Sequence, residues 1–445
     1  MKVVSILIAI LVALIAGVYV IGPAVAEHFV FKNDPESRRQ FKDWKSERIQ
    51  LPAEALTAKP FSASTQAAAR TLLEIPEKEL HEVNEVRANY ERDNRINYGT
   101  LGADLQKHEA FTRAFTTLVT QPDYDISVIG GKVMLNEGVI PESGGYMALH
   151  NGAKFLRFKA LDLAHQGRFA EALNEAERIV LASRVHPYDI LISQLIGIGF
   201  CSIGTKTWNE VVQQCGDKNL LRQTLERQNA LAGSLRFMSG ALPLMAVDQI
   251  GMLRELKRRG IDMDYQGLSG RELLARASAG RAKYFDTVVR PKIKGDAQAL
   301  EQLEEKIRGW QGFSEEMGGE NFSLAGHFKR LTGPLSWPTI FKIGQPLEAH
   351  TRAVVALAKF DLLRLETARK LYTLEHGASP ANPADLVPAY LPALPTDRFA
   401  EKGIDAYRET TSNYYSIGPD EQDNRLAITY DPTNGTISAG DIALK

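Results

Sequence analysis

The distribution of apolar positions divides the chain into three unlike parts. Residues 3–26, VVSILIAILVALIAGVYVIGPAVA, are apolar and carry no charge. Residues 27–60 are polar and charged with scattered prolines, a composition typical of a stalk. From residue 61 onward, apolar side chains recur every three or four positions, which is the period of an amphipathic helix. The pattern therefore predicts a membrane-associated start, a polar stalk and a largely helical body.

The apolar start is long enough to be a membrane anchor. A helix over residues 3–26 would reach about 36 Å, which exceeds the hydrocarbon core of a bilayer. The positive flank at Lys2 would stay in the cytoplasm, giving a single-pass inner-membrane protein with a periplasmic bulk. Pro23 before Ala24-Val25-Ala26 also resembles a cleavage site, so removal of residues 1–26 as a signal peptide and secretion is the alternative. Both interpretations export the rest of the chain.

Two local patterns interrupt the regular body over residues 61–345. The stretch GRFAEAL, residues 167–173, has the spacing of the second helix in a tetratricopeptide hairpin. A second copy 34 residues away is absent from the sequence, so one helical hairpin is predicted rather than an array. Two β-branched runs around Gly130-Gly131 predict a small β-hairpin near residues 126–140.

The C-terminal part, residues 346–445, changes from helix to short strands. Residues 346–377 have a helical pattern that ends at Gly377, the position of a C-cap. Residues 414–416 alternate as in a strand, and Gly418-Pro419-Asp420 predicts a turn. The predicted fold class is therefore mainly α, with a small α+β domain at the C-terminus.

Composition and cysteine content bear on folding, on nucleic-acid binding and on disulfide formation. With 44% hydrophobic and 24% charged residues the chain should fold, and a net charge of −1 gives no electrostatic footprint for nucleic acid. Export would place Cys201 and Cys215 in an oxidising compartment. On one straight helix they would lie about 21 Å apart, whereas a turn near residues 202–205 would allow a disulfide. A bonded helical hairpin and two buried free thiols are equally compatible with the sequence.

The order of motifs after residue 376 resembles the soluble domain of the major pseudopilin of type II secretion. In that family a helix ends in Gly-x-x-Pro, followed by Leu-x-Pro-x-Tyr-Leu, a Leu-Pro-x-Asp segment and a sheet ending in Tyr-Ser-x-Gly-x-Asp. The matching residues are Gly377, Pro380, Leu386, Pro388, Tyr390, Leu391, Leu394, Pro395, Asp397, Tyr407, Tyr415, Ser416, Gly418 and Asp420. The whole layout is also similar to uncharacterised envelope proteins of planctomycete-type bacteria, which carry no known activity.

The resemblance implies a calcium site and also shows departures. Pseudopilins hold calcium in this C-terminal loop through hard oxygen ligands, so Asp420, Asp423 and Asp441, with Asp431 as a further one, are the implied ligands. The chain has Arg398-Phe399-Ala400 where the family has a proline and a glycine turn. The preceding helix carries charges that exclude it from lipid, so assembly into a pilus by helix packing is not expected. These charges are Arg352, Lys359, Asp361, Arg364 and Glu366.

Catalytic motifs are weak throughout the sequence, and no catalytic residue is predicted. The segment HEVNE, residues 81–85, lacks the second histidine of a zinc protease, so a charged helix face is predicted there. The chain has no Gly-x-Ser-x-Gly elbow. The sequence favours a membrane-anchored periplasmic scaffold or protein-interaction protein over an enzyme. The alternatives are an accessory component of a type II secretion or pilus-like machine, and a periplasmic hydrolase with an unrecognised site.

Overall fold

A computed structural model of the chain shows a mainly helical protein with one small sheet. The structure describes residues 60–92, 96–130, 144–186, 191–237, 337–400, 406–410, 413–431 and 439–444, together with Glu272. The described α-helices are α1 (Ala63–Leu73), α2 (Glu77–Arg92), α3 (Tyr98–Lys107), α4 (Glu109–Val119), α5 (Ser127–Gly130), α6 (Gly144–His165), α7 (Phe169–Ala182), α8 (Leu191–Gln214), α9 (Lys218–Ala232) and α10 (Trp337–His376). A 3-10 helix, Pro383–Leu386, and strands β1 (Arg408–Glu409), β2 (Tyr414–Ser416) and β3 (Ile442–Ala443) follow.

The first helix is fixed to the body through its N-cap. The Ser62 side chain accepts a hydrogen bond from the Thr65 backbone N–H at 3.3 Å, which satisfies one of the free donors of the helix start. The Ser62 backbone N–H in turn donates to Asp123 Oδ2 at 2.6 Å, in the loop after α4. The described body therefore begins with a hydrogen-bonded anchor point directly after the predicted stalk.

The helical hairpin predicted around GRFAEAL is confirmed as α6 and α7. Gly167 takes the left-handed conformation, with φ of 76°, which ends α6 and turns the chain back. The second helix buries one continuous stripe against α6 and α8, as expected for a period of three and four residues. The buried stripe consists of Ala172, Leu173, Ala176, Ile179 and Val180.

Helix α8 lies against both α7 and α10 and is buried on most of its surface. Its approach to α7 requires glycine at residue 204, because a Cβ there would lie 2.6 Å from Val180 Cγ2 and 2.9 Å from Val180 N. Gly197 makes a similar approach, because a Cβ there would lie 2.8 Å from the Ser183 carbonyl oxygen. Two glycines thus allow the hairpin and α8 to pack at short range.

Helix α10 joins the body to the C-terminal strands. It contains residues 346–376 of the predicted segment 346–377 and begins earlier, at Trp337. Gly377 ends it with φ of 77° and donates its backbone N–H to Thr373 O at 2.9 Å, so the predicted C-cap is confirmed. One apolar core contains side chains of the body together with residues of the C-terminal part, including Leu386, Tyr414 and Ile442.

The C-terminal sheet is antiparallel, with strand order β1-β2-β3. Tyr415 is the register residue, since it pairs with Arg408 on one side and with Ala443 on the other. The strand predicted at residues 414–416 is confirmed. The turn predicted after it is also present. Gly418 has φ of 76°, and its carbonyl oxygen accepts a hydrogen bond from the Glu421 backbone N–H at 3.1 Å.

The β-hairpin predicted near residues 126–140 is wrong in its described part. Residues 127–130 form the short helix α5, while residues 131–143 lie outside the described chain. The cause is the Asp125 side chain, whose Oδ1 accepts the Ser127 backbone N–H at 2.9 Å. An aspartate capping the backbone two residues on favours a helical turn over an extended strand.

The membrane-associated start cannot be compared with the structure, because residues 1–59 lie outside the described part of the chain. Among the residues that the structure does describe, no helix combines the length and the apolar character needed to cross a bilayer. The long helix α10 satisfies the first condition and fails the second, as its charges predicted.

Candidate functional site

A cluster of buried polar and charged side chains lies where α10 meets the C-terminal strands, and its centre is Asp361. The Asp361 side chain is almost fully buried, with the residue 4% exposed. Its Oδ1 accepts a hydrogen bond from Arg364 Nη1 at 3.2 Å, and its Oδ2 accepts one from Arg398 Nε at 2.9 Å. The Tyr407 hydroxyl also donates to Oδ2, at 3.3 Å. One carboxylate from the helix therefore holds two arginines and a tyrosine.

The same cluster extends into the helical body through Arg364. Its Nε donates to Asn229 Oδ1 at 2.9 Å, and Asn229 lies on α9. The Asn229 side-chain amide then donates to the Tyr390 carbonyl oxygen at 3.2 Å. We call Asp361, Arg364, Arg398, Tyr407 and Asn229 the polar junction, because they connect α9, α10 and the C-terminal part.

A second buried carboxylate fastens the central strand to the helix. Glu366 lies one turn after Asp361 and is 4% exposed. Its Oε1 accepts the Tyr414 backbone N–H at 2.8 Å, and its Oε2 accepts Arg369 Nε at 2.9 Å. Because a buried carboxylate needs donors to offset its desolvation, these contacts stabilise the position of β2 on α10.

Asp397 holds the other end of the same strand. Its Oδ1 accepts the Ser416 hydroxyl at 2.6 Å, and its Oδ2 accepts the Ile417 backbone N–H at 3.1 Å. Burial raises the pKa of the Asp397 carboxyl, and the hydrogen bonds from Ser416, Phe399 and Ile417 oppose that rise. Burial also raises the pKa of Tyr407 well above its ordinary value, with Asp361 and Asp397 adding to the effect.

This arrangement is suited to joining elements rather than to chemistry. A general acid or base needs an oxygen that can reach a substrate proton. The oxygens of Asp361, Glu366 and Asp397 are instead directed at donors within the protein. Sequence reasoning missed the junction, although the signal was present: the charges on α10 excluded lipid, and charges on an otherwise apolar helix also indicate buried partners.

The C-terminal loop, residues 418–426, contains two of the three predicted calcium ligands, and Asp441, the residue before β3, lies against it. Asp441 Oδ1 accepts the Asn424 backbone N–H at 3.2 Å, and Oδ2 accepts the Leu426 N–H at 2.6 Å. Asp420 Oδ2 accepts the Gly440 N–H at 2.9 Å. Asp423 Oδ1 accepts the Tyr415 hydroxyl at 3.0 Å. The structure thus brings these aspartates together at one loop, where each carboxylate accepts hydrogen bonds from groups of the protein.

The donors around these carboxylates do not fit a calcium ion. Calcium takes six to eight oxygen ligands at about 2.3–2.6 Å, so its site is lined by converging oxygens. Here backbone N–H groups converge on the carboxylate of Asp441 instead. The further candidate Asp431 is exposed. Within the described ranges, no set of three or more histidine, cysteine, aspartate or glutamate residues is placed to hold a metal ion.

The disulfide between Cys201 and Cys215 is not formed, and both thiols are free and buried. The physical reason is that α8 runs unbroken over Leu191–Gln214, so the turn that would have brought them together is absent. Burial raises the pKa of the Cys201 thiol to about 12 and also raises that of Cys215. The free-thiol alternative of the sequence analysis is the one observed.

The predicted charged face at residues 81–85 is confirmed. His81 Nε2 lies 3.3 Å from Glu85 Oε1, one turn along α2, and both side chains are more than half exposed. The pair has the spacing of ordinary surface partners on a helix.

The sheet edges are less open than strand addition requires. Outer strands β1 and β3 are two residues long. Isolated bridges flank the sheet on each side, between Thr396 and Ala406 and between Thr429 and Asp441. Short and partly covered edges disfavour the pairing of a further strand.

Comparison with known proteins identified no related family. No protein-family model matches the chain. No curated protein and no solved structure matches it either. The resemblance of the C-terminal part to pseudopilins therefore stays a prediction that rests on the order of its motifs and on the strand and turn at residues 414–420.

Proposed function

We propose that this protein is a membrane-anchored periplasmic scaffold that binds other envelope proteins. The anchor and the export are predicted from residues 3–26, and the scaffold role rests on the described body and C-terminal part. The alternative is an accessory role in a type II secretion or pilus-like machine, which the pseudopilin-like motif order supports.

The observation that carries the proposal is the polar junction. The buried Asp361 and Arg364 connect the helical body, through Asn229, to the exposed Arg398 of the C-terminal part by charge-assisted hydrogen bonds. Such contacts fix relative orientation, because a buried charge that loses its partner costs several kcal/mol. The surfaces of the helical body and of the C-terminal part are thereby held in one orientation. A protein with two surfaces in a fixed orientation is suited to binding partners.

The helical body offers a docking surface that does not depend on strand addition. The short edges of β1 and β3 disfavour strand addition, whereas the body has large apolar side chains that are partly exposed. Leu73 on α1 is 44% exposed and Met147 on α6 is 42% exposed. Exposed residues of this kind also occur on the C-terminal part, where Ile428 is 52% exposed.

Site-specific photo-crosslinking in native membranes tests the proposal. A photoreactive amino acid replaces Leu73 on the body in one full-length variant and Ile428 on the C-terminal part in another. These two positions are matched in chemistry and exposure, so a difference between them reports on the surface. Adducts are identified by mass spectrometry and confirmed by tagging the captured protein and recovering the original chain.

The expected result is a reciprocal adduct between position 73 and an exported or membrane protein. An adduct at position 428 with secretion or pilin-like components, and none at 73, would support the machine-accessory role instead. Both positions giving no adduct with another protein, in membranes where the chain is intact, would overturn the scaffold proposal.

A further inference from the structure

The C-terminal loop has an unusual backbone for residues with side chains. Glu421, Arg425 and Leu426 all have positive φ, at 58°, 53° and 62°. This left-handed conformation costs free energy for residues other than glycine, so neighbouring contacts must stabilise it. In such turns successive N–H groups point toward one side and form a concave surface that attracts an anion.

The anion in this concave surface is the carboxylate of Asp441. Both of its oxygens accept backbone N–H groups of the loop, from Asn424 and Leu426. The residue is fully buried. Its main chain is held as well, because the Asp441 N–H donates to Ile428 O at 2.9 Å and the Tyr430 N–H donates to Asp441 O at 2.9 Å. Asp441 therefore connects the loop to β3 through side chain and backbone together.

A second carboxylate makes the opposite connection. Asp420 lies in the loop, and its Oδ2 accepts the N–H of Gly440, the residue before Asp441. Its Oδ1 accepts the Gln422 N–H at 3.3 Å within the loop. Loop and strand are thus crosslinked in both directions by one aspartate each.

The two segments approach so closely that glycines are required. A Cβ on Gly418 would overlap the Gly440 carbonyl oxygen, and both glycines have positive φ. A Cβ on Gly440 would lie 2.7 Å from the Ile428 carbonyl oxygen. This closure is made by direct contact between main-chain atoms of the loop and of the residues that precede β3.

We propose that Asp441 closes the C-terminal loop as an internal anion, and that the loop folds without a divalent cation. The N–H groups of Asn424 and Leu426 both point at the Asp441 carboxylate, and donors arranged in this way favour an anion at that position. Both oxygens that Asp441 would offer to a calcium ion accept these donors. The proposal is the opposite of what the pseudopilin resemblance implies, and it does not depend on which partners the protein binds.

Hydrogen exchange on the unaltered full-length protein tests the proposal directly. The probe is calcium chloride at millimolar concentration against the same buffer with EDTA. We expect the amides of Asn424 and Leu426 to be equally protected in both buffers, since their acceptor is Asp441. Protection that appears only with calcium would overturn the proposal.

Thermal unfolding of two variants gives an independent test. Asp441→Asn places an amide against N–H donors, and we expect its midpoint to fall by roughly 1–4 °C in both buffers. The control is Glu409→Gln, an exposed carboxylate on β1 that should leave the midpoint unchanged. A calcium-dependent rise of the wild-type midpoint that Asp441→Asn abolishes would show that the aspartate is a calcium ligand and that the proposal is wrong.

Discussion

The helical hairpin α6–α7 and the polar junction are both buried, but they are held by different physics. In the hairpin, apolar side chains pack against α8, and Gly204 allows the helix backbones to approach. In the junction, Asp361 is surrounded by two arginines and a tyrosine. Packing tolerates small shifts because it is summed over many weak contacts, whereas a buried ion pair depends on each partner.

The difference teaches how the two parts of the chain are specified. Each helix of the hairpin carries its own apolar stripe, so the face that it buries can be identified from residues within the same helix. In the junction only Asp361 and Arg364 are neighbours on one helix, and the other partners are far apart in the chain. Arg398 and Asp361 are separated by 37 residues, and Arg364 and Asn229 by 135. The hairpin is therefore specified by residues that are close in the sequence, whereas the junction forms only when the chain has folded.

The strongest way to break this comparison is to remove the centre of the junction. Asp361→Ala leaves the buried Arg364 without its carboxylate partner, and the exposed Arg398 loses its contact with the helix. We expect a loss of about 3–5 kcal/mol in the free energy of unfolding, the range for breaking a buried ion pair. Urea unfolding of the full-length protein in detergent, followed by circular dichroism, measures it.

The control for this change is an exposed carboxylate of the same part. Glu409→Ala on β1 should change the free energy of unfolding by less than about 0.5 kcal/mol. If Asp361→Ala were as mild as the control, the junction would not be needed to hold the C-terminal part on α10.

Local signals in the sequence predicted much of the fold. Gly377 marks the end of α10, GRFAEAL the second helix of the α6–α7 hairpin, and residues 414–416 the central strand. Each prediction used residues that are close together in the chain. The failure at residues 127–130 has the same origin, because β-branched residues indicated a strand while the Asp125 side chain stabilised a helical turn.

The candidate site was much less predictable than the fold. The aspartates Asp420, Asp423 and Asp441 were identified as a group, and they do lie at one loop. Their role could not be read from the sequence, because N–H donors and a bound cation can both hold a carboxylate. Asp361 was noted only for excluding lipid, since its partners become neighbours only after folding.

A smaller effect is expected where the apolar region is overpacked. Gly204→Ala puts a methyl group 2.6 Å from Val180 Cγ2 and 2.9 Å from its backbone nitrogen. We expect this variant to be about 1–3 kcal/mol less stable than Gly199→Ala in urea unfolding.

Gly199 is a matched control on the same helix, because a Cβ there meets nothing within 4 Å. Gly199→Ala should be neutral or stabilising, since alanine favours helix by about 1 kcal/mol over glycine. Equal stability of the two variants would show that α7 and α8 do not need their close approach.

A pH-dependent effect is expected at the start of the body. Hydrogen bonds from Ser62 and Thr65 lower the pKa of Asp123 from 3.8 to about 2. A depressed carboxyl pKa stabilises the folded state above the unfolded value and loses that contribution as pH falls through the folded value. The wild type should therefore exceed Asp123→Asn in thermal midpoint above about pH 4, and the gap should close toward pH 2. A gap that is constant with pH would show that the carboxylate charge is not involved.

The smallest expected effect concerns the thiols and shows whether packing alone holds the apolar region. Cys201 and Cys215 are free because α8 is continuous between them, so no covalent link adds to the helix contacts. A reductant should then leave the thermal midpoint of the full-length protein unchanged.

A thiol reagent should label neither cysteine in the native protein, since burial raises the Cys201 pKa to about 12 and the thiolate is the reactive form. After denaturation without reductant both should react; if they did not, and the midpoint fell on reduction, a disulfide would exist and α8 would have to bend. The hairpin and the junction would then no longer differ as packing against polar contacts, because the apolar region would also depend on one specific bond.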